Sequence, residues 1–376
     1  MGVQARGHIV MTVNTSWNVY NFRRGLVSAL IAKGYHVTVL APDDHTTEKL
    51  SLLGCDTRHL EMNAKGLSVV GEAALLRSMR RHLKDLRPDA VLGFTIKNNL
   101  YGALAARTLD IPFIPTVTGL GTAFLSGSTL QGIAQTLYRL AFRRCPAVIF
   151  QNAADRDLFL ERGLVRPHQV AMSPGSGVDL DHFAPRPAPE VRERTVFLFI
   201  GRMLADKGVR ELIEAARHIR ARHPDCEFRF LGPMGKDNRS AIPDAEVRGW
   251  IDEGTITYLG PADDVRPHIA DADCVVLPSY REGSPRTLIE AAAMARPVIT
   301  TDVPGCRDVV DPGKSALLCP VRDWVALAAA IEFFFSLPLD RQRAMGIAGR
   351  SLMQQSFDQR FVIKRYCDAL DDAMAM

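Results

Sequence analysis

Short apolar runs separated by longer amphipathic stretches organise this chain of 376 residues into two series. The first run, residues 8–13 (His-Ile-Val-Met-Thr-Val), is almost continuously apolar and predicts a strand buried on both faces. A polar loop and a helix over 22–33 follow, and Gly34-Tyr-His-Val-Thr-Val-Leu-Ala-Pro42 then reads as turn, strand and stop. Further buried strands are expected at 90–94, 111–117 and 147–151, with helices between them. Alternation of that kind specifies a parallel, doubly wound α/β sheet. Arg186-Pro-Ala-Pro-Glu190 breaks the pattern and reads as a linker. The second series opens at 195–201 (Thr-Val-Phe-Leu-Phe-Ile-Gly) and continues through strands at 227–231, 256–259, 274–278 and 297–301. Helices are expected at 288–295, 327–335 and 361–374. Two domains result, 1–185 and 190–356.

Composition adds exclusions. A length of 376 residues exceeds one ordinary core and suits two. The seven cysteines form no C-x-x-C and no close pair, which fits a reducing compartment rather than a disulfide scaffold or a zinc site. No apolar run approaches the ~20 residues that a bilayer span requires, and the N-terminus carries no signal-peptide core. Charge is uneven: residues 1–185 hold 20 basic against 14 acidic residues, and the remainder 26 against 28. Arg77, Arg80, Arg81, Lys84 and Arg87 share one helical stretch, and Arg139, Arg143 and Arg144 follow on another among Leu137, Tyr138, Leu140 and Phe142. Basic amphipathic helices suit an anionic membrane surface, while a solvated helix face is the alternative. No nucleic-acid-binding motif accompanies the charge.

The chemistry concentrates in residues 278–310. Glu282 and Glu290 stand eight positions apart, across a Gly-Ser-Pro turn and the start of a helix. Gly283 and Ser284 place backbone N–H groups where a helix N-terminus favours an anion. With Glu282 on the loop and Glu290 about two turns along, one carboxylate is set to accept from a sugar and the other from a ribose diol. A diphosphate fits between them, which is the layout of a nucleotide-sugar site. Gly201-Arg-Met-Leu-Ala-Asp-Lys-Gly208 follows the first strand of the same domain. Gly201 permits close backbone approach, Arg202 offers a fork of donors to phosphate oxygens, and Lys207 adds a compact charge.

These residues carry a family resemblance. Glu-x7-Glu after a strand ending in Pro-Ser, with Arg296-Pro-Val-Ile-Thr-Thr-Asp-Val-Pro-Gly-Cys-Arg-Asp308 behind it, resembles the retaining family-4 glycosyltransferases. Residues 14–26, 116–124, 150–152 and 175–179 are similar to the bacterial branch that extends polyprenyl-diphosphate-linked sugars. The diacetylbacillosaminyl-diphospho-undecaprenol alpha-1,3-N-acetylgalactosaminyltransferases belong to that branch. The resemblance implies a GT-B fold, with two Rossmann-like domains facing across a cleft and a last helix, 357–376, returned to the first domain. It implies metal-independent hexosyl transfer by front-face substitution, in which Glu282 holds donor-sugar hydroxyls and Arg202 and Lys207 stabilise the departing diphosphate. Gly201, Gly283, Ser284, Pro285, Arg286 and Glu290 would bind the donor. The implied substrates are a UDP-sugar and a polyprenyl-diphosphate-linked saccharide. No cofactor or nucleic acid is implied, and the location is cytoplasmic, peripheral on the inner face of the cell membrane.

The acceptor is expected at the carboxyl edge of the first sheet, where doubly wound folds bind ligands. Asn14, Ser16, Trp17, Asn18 and Asn21 follow the first strand, and Lys97, Thr118 and Gly119 reach the same edge from later ones. Trp stacks on a pyranose face, Asn bonds its hydroxyls, and Lys97 is placed to meet an acceptor diphosphate. Phe124, Leu125, Leu137, Tyr138 and Phe142 are the candidates for shallow membrane insertion.

Other features take simpler readings. Asp271-Ala-Asp273 is read as helix capping rather than a metal motif. Gly175-Ser-Gly177 lacks the rest of a dinucleotide fingerprint, and Cys306 is read as a packing residue. Two further function classes stay open: a sugar-nucleotide epimerase of the same fold, and a non-catalytic sugar-nucleotide-binding subunit.

Overall fold

The computed structural model describes residues 6–62, 69–119, 128–186, 194–235, 238 and 240–375. The chain divides into two compact units, residues 1–177 with 359–376, and residues 178–358.

The first unit holds strands β1 (Gly7–Thr12), β2 (Tyr35–Ala41), β3 (Asp56–His59), β4 (Ala90–Phe94), β5 (Phe113–Val117), β6 (Val148–Phe150) and β7 (Val170–Met172). Helices α1 (Ser16–Ala32), α2 (Thr47–Leu52), α3 (Val69–Leu86), α4 (Ile96–Arg107), α5 (Ser128–Phe142) and α6 (Ala153–Glu161) connect them. All pairings are parallel, in the order β3-β2-β1-β4-β5-β6-β7. Every residue of β4 and β5 is buried, because helices cover both faces of the sheet. Caps set the helix starts: Thr15 accepts the Asn18 N–H at 3.1 Å for α1, and Asn152 accepts the Asp155 N–H at 2.8 Å for α6.

The second unit holds β8 (Thr195–Ile200), β9 (Cys226–Leu231), β10 (Thr257–Gly260), β11 (Cys274–Leu277), β12 (Val298–Thr301) and β13 (Ala316–Cys319). Its order is β10-β9-β8-β11-β12-β13, again parallel throughout. Helices α7 (Val209–Arg220), α8 (Asp244–Asp252), α9 (Arg266–Ala270), α10 (Arg286–Ala293), α11 (Trp324–Ser336) and α12 (Leu339–Leu352) surround the sheet. In α7 the residues Val209, Leu212, Ile213, Ala216 and Ile219 face inward at helical spacing, while Arg210 and Arg217 point to solvent.

The division falls at Gly177/Val178 rather than across residues 186–190. Val178 donates its N–H to Phe357 O at 2.8 Å, and both Val178 and Phe183 lie in the second core. Arg350 fixes the same segment by donating to Phe183 O at 2.9 Å and Leu180 O at 3.0 Å. The glycines of Gly175-Ser-Gly177 serve this crossing. Gly177 has φ +68, and a Cβ there would lie 2.7 Å from Gln359 Cα, at the start of the returning helix. That C-terminal helix, Gln359–Met374, buries Val362, Tyr366, Cys367, Leu370 and Ala373 in the first unit's core, and Tyr366 shares a 2.8 Å hydrogen bond with Thr116 Oγ1.

The apolar part of the expected membrane face needs correction. Tyr138 and Phe142 pack on Phe159 inside the first unit and are buried, and Leu137 is partly buried against the same core. They close the core instead of offering themselves to lipid. Arg139 donates to the carbonyls of Arg162 and Gly163 at 3.0 and 3.2 Å, where it satisfies the end of α6. Phe124 and Leu125 lie outside the described residues. Arg77, Arg80, Arg81, Lys84 and Arg87 are exposed on and just past α3.

Leu370→Ala should destabilise the first unit by about 2–5 kcal/mol, since the side chain is fully buried. Urea unfolding checks this, and a loss below ~1 kcal/mol would show that the returning helix is not part of that core.

Candidate active site

Each sheet reverses its strand order once, at β1/β4 in the first unit and at β8/β11 in the second. Open α/β sheets bind ligands at the carboxyl ends of the strands flanking such a switch. The predicted site residues fall at these two places.

In the second unit, β8 leads through Gly201 into a loop and a short 3-10 turn, Ala205–Lys207. Gly208 follows with φ +69, and a Cβ there would lie 2.1 Å from Pro278 O. Only glycine permits that contact, which brings the loop after β8 against the loop after β11. The Tyr280 N–H then donates to Asp206 O at 2.9 Å. Lys207 reaches Glu282 and pairs with its Oε1. Ser279 Oγ donates to the same oxygen at 2.6 Å. The Lys207 and Glu282 side chains are only 23% and 13% exposed, so this pair is not a solvated surface bridge. Lysine has three donors, so its ammonium keeps capacity beyond Glu282. Glu282 Oε2 carries no hydrogen bond among the described residues. Arg202 is exposed, and its guanidinium makes no hydrogen bond or ion pair among the described residues.

Glu282 is held from behind by the segment after β12. Its N–H donates to Pro304 O, and a Cβ on Gly305 (φ +83) would lie 2.3 Å from Glu282 O. Asp308 Oδ2 fixes the turn by accepting the Gly305 N–H at 3.0 Å. Cys306 beside it is fully buried, and burial pushes its thiol up to about 12, as suits a packing residue.

Helix α10 starts after Pro285, and Thr287 ties its first turn to the end of β8 by donating to Ile200 O at 3.0 Å. The first N–H groups of such a helix have no intrahelical acceptor. Ser284 Oγ, just ahead of them, is buried with no partner among the described residues. An orphaned donor at a helix N-terminus fits an anionic ligand. Glu290 sits one turn into α10, not two, because the helix begins at Arg286. It is 8% exposed, and Arg286 donates to its Oε1 at 3.0 and 2.6 Å. Burial raises the Glu290 carboxyl above the ordinary carboxylate range, and the Arg286 charge opposes that only in part. Arg286 is thus Glu290's partner before it is a ligand group.

Asp271 and Asp273 serve the scaffold: Asp271 pairs with Arg229, and Asp273 accepts the Val196 N–H at 2.8 Å.

In the first unit the structure separates the expected acceptor residues. Asn14, Lys97, Thr118 and Gly119 line one cavity of about 330 Å³ at the carboxyl ends of β1, β4 and β5. Ser16, Trp17, Asn18 and Asn21 do not line it. Ser16 Oγ donates to Pro42 O, and Asn21 Nδ2 donates to Trp17 O at 3.0 Å. Asn18 Oδ1 accepts from Arg23. These three complete α1 and its loop. Trp17 is 40% exposed, packed edge-on against Phe22. Thr95, Ile96, Asn98 and Met62 complete the cavity lining, and Thr95 holds a left-handed φ of 70°. Asn98 donates to Thr12 Oγ1 at 2.8 Å, and Asn99 donates to Thr116 O at 2.7 Å. Asn14 Oδ1 is buried without a partner among the described residues. Lys97 is also not a free cation, since its Nζ lies 2.5 Å from Glu72 Oε1. Only the polar run Thr95-Ile-Lys-Asn-Asn99 after a buried strand marked this edge in the sequence; Glu72, 25 residues away, gave no local signal.

Two parallel doubly wound units, each gathering polar groups at its switch point, have the architecture of GT-B glycosyltransferases. Residues 194–336 match "Glycosyl transferases group 1" and residues 21–175 match "Glycosyl transferase 4-like domain", and the chain belongs to this glycosyltransferase family. The N,N'-diacetylbacillosaminyl-diphospho-undecaprenol alpha-1,3-N-acetylgalactosaminyltransferase of Campylobacter jejuni is 24% identical over 370 residues, spanning 94% of this chain and 96% of that protein. The UDP-Gal:alpha-D-GlcNAc-diphosphoundecaprenol alpha-1,3-galactosyltransferase of Escherichia coli is 24% identical over 274 residues, 69% of each chain. The Anabaena HepE structure in complex with UDP and glucose superposes with a TM-score of 0.80 at 17% identity, covering 97% of this chain and 100% of that one.

Gly305→Ala should destabilise the second unit more than Gly254→Ala does. Both glycines have positive φ, but an added Cβ meets Glu282 O at one and nothing within 4 Å at the other. The expected gap is about 1–3 kcal/mol in urea unfolding; equal losses would mean that Gly305 does not clamp the Glu282 loop.

Proposed function

We propose that this protein transfers a sugar, with retention and without a metal ion, from a UDP-sugar to a saccharide carried on polyprenyl diphosphate. The donor sugar is N-acetylgalactosamine or a related N-acetylhexosamine, and the product enters bacterial glycan or glycoprotein assembly. The observation that carries this reading is the Lys207–Glu282 pair beside the α10 N-terminus, with Arg202 unengaged and Ser284 Oγ orphaned. The two named bacterial transferases similar over most of the chain support the acceptor class.

In the reaction, the bond from the sugar's anomeric carbon to the β-phosphate oxygen breaks, and a bond from that carbon to the acceptor oxygen forms on the same face. The acceptor hydroxyl proton passes to the departing phosphate. Arg202, the spare donors of Lys207 and the first turn of α10 offset the negative charge, the term that is commonly largest. Glu282 Oε2 accepts from a donor-sugar hydroxyl, and Glu290 from the ribose diol. A sugar-nucleotide epimerase works on one substrate, so an unsatisfied polar cavity in the other unit favours the two-substrate reading.

Among the described residues no helix is long and apolar enough to cross a membrane. An acceptor with a polyprenyl tail stays in the bilayer, so the enzyme works on the cytoplasmic face of the membrane, docked peripherally. The exposed cations of α3 and Arg87 supply the attraction, each contributing about 1 kcal/mol near anionic lipid.

Arg202→Ala and Lys207→Ala should each lower transfer about 10²- to 10³-fold with the fold intact. Near wild-type turnover in both removes them from the mechanism. Glu282→Gln should mainly lower turnover, whereas Glu290→Gln should mainly weaken UDP in titration calorimetry. Because an ionised Glu290 accepts from the diol more strongly than the neutral acid and its pKa is raised, UDP affinity should climb with pH through a range above that of an ordinary carboxylate. Glu290→Gln should be flat there; a wild type equally flat would place the ribose elsewhere.

A further inference from the structure

The acceptor cavity of the first unit contains one cation, Lys97, among the described residues that line it. Its charge is already answered: Glu72 Oε1 lies 2.5 Å from Nζ, and the two side chains are 17% and 18% exposed. Glu72 comes from the first turn of α3, where the helix dipole favours a carboxylate. Tyr101 stands one turn beyond Lys97 on α4, and burial, together with the Glu72 carboxylate near it, holds its phenol well above the usual range. Glu72 Oε2 is buried with no partner among the described residues, so Lys97 holds Glu72 through Oε1 alone.

An ammonium in contact with a carboxylate acts at a distance as a dipole, whose field falls away faster than that of a single charge. Such a pair attracts a diphosphate weakly. The lysine at the lining still carries N–H donors, and Asn14 Oδ1 supplies a buried acceptor in need of a donor in the same lining. Donor and acceptor without net charge match hydroxyl and acetamido groups of a sugar. We propose that Glu72 is a positioning residue that locks Lys97 into a neutral pair, so that this cavity selects the acceptor's saccharide and not its diphosphate. The inference rests on the transferase reading above, and it reassigns Lys97 from the diphosphate contact expected from the sequence.

The test uses the full chain with two acceptors that share one saccharide, one on a short polyprenyl diphosphate and one on a neutral alkyl glycoside. Lys97→Met should raise acceptor KM about 10- to 100-fold, the loss of one hydrogen bond to a charged group, and by the same factor for both acceptors. Glu72→Gln should raise KM on both as well, and Glu72→Asp should recover part of the loss. KM for the UDP-sugar and kcat at saturating acceptor should stay within about 3-fold of wild type. Tyr101→Phe, which removes the phenol hydroxyl near Glu72 and nothing from the cavity lining, keeps the test open if a charge-changing variant does not fold. It should raise KM modestly on both acceptors. A penalty confined to the diphosphate acceptor, or a tighter diphosphate acceptor in Glu72→Gln, would overturn the inference while leaving the transferase reading in place. Parallel loss of donor binding and kcat would overturn it too, by showing a merely structural pair. A wild type that transfers to neither acceptor overturns the transferase reading, and this inference with it.

Discussion

One backbone contact organises the candidate site of the second unit. Gly208 passes so close to Pro278 O that no side chain fits between them, and this joins the loop after β8 to the loop after β11. Lys207 is the residue before that contact, and Glu282 stands four residues beyond Pro278. Their pairing follows from where the two loops must run. Gly305 repeats the device on the other side of Glu282, with a close approach to its carbonyl. Two positive-φ glycines thus hold a charged pair that would otherwise be costly to keep at low exposure. Flexible loops would not maintain such a pair in one geometry.

The first unit solves a similar problem with side chains. Its switch point is built by Asn98 bonding Thr12, Asn99 bonding Thr116 O, and the returning C-terminal helix placing Tyr366 on Thr116. Asn98 and the Nδ2 of Asn99 are spent on the scaffold, which leaves Asn14, Thr118 and the Lys97–Glu72 pair at the rim. Both units therefore keep an ion pair at the carboxyl edge of the sheet, each mostly withdrawn from water.

Much of this was legible in the sequence, for a definite reason. Strands buried on both faces are continuous apolar runs, so 90–94 and 195–200 could be placed closely, as could the helix after Gly-Ser-Pro. Three of the four edge strands escaped: β3 is Asp-Thr-Arg-His and largely exposed, β7 has three residues and β13 four. The domain boundary was displaced because Pro-rich composition marks a loop, whereas the crossing depends on Val178 meeting Phe357 from far along the chain. At the candidate site, residue types marked loops at the carboxyl ends of the strands but not the partners of those residues. Ser16, Asn18 and Asn21 look like sugar ligands and instead complete α1, while Glu72 gave no sign of its role. Long-range pairing is what a single sequence hides.

Retaining transfer from a UDP-sugar to a lipid-diphosphate saccharide leaves its mark in the product's stereochemistry. The most direct measurement is an NMR determination of the anomeric configuration of the product formed from α-linked UDP-N-acetylhexosamines and such an acceptor, with EDTA present. Retaining, metal-independent transfer gives an α-linked product in EDTA. A β-linked product, or an epimerised UDP-sugar with the acceptor untouched, would contradict it.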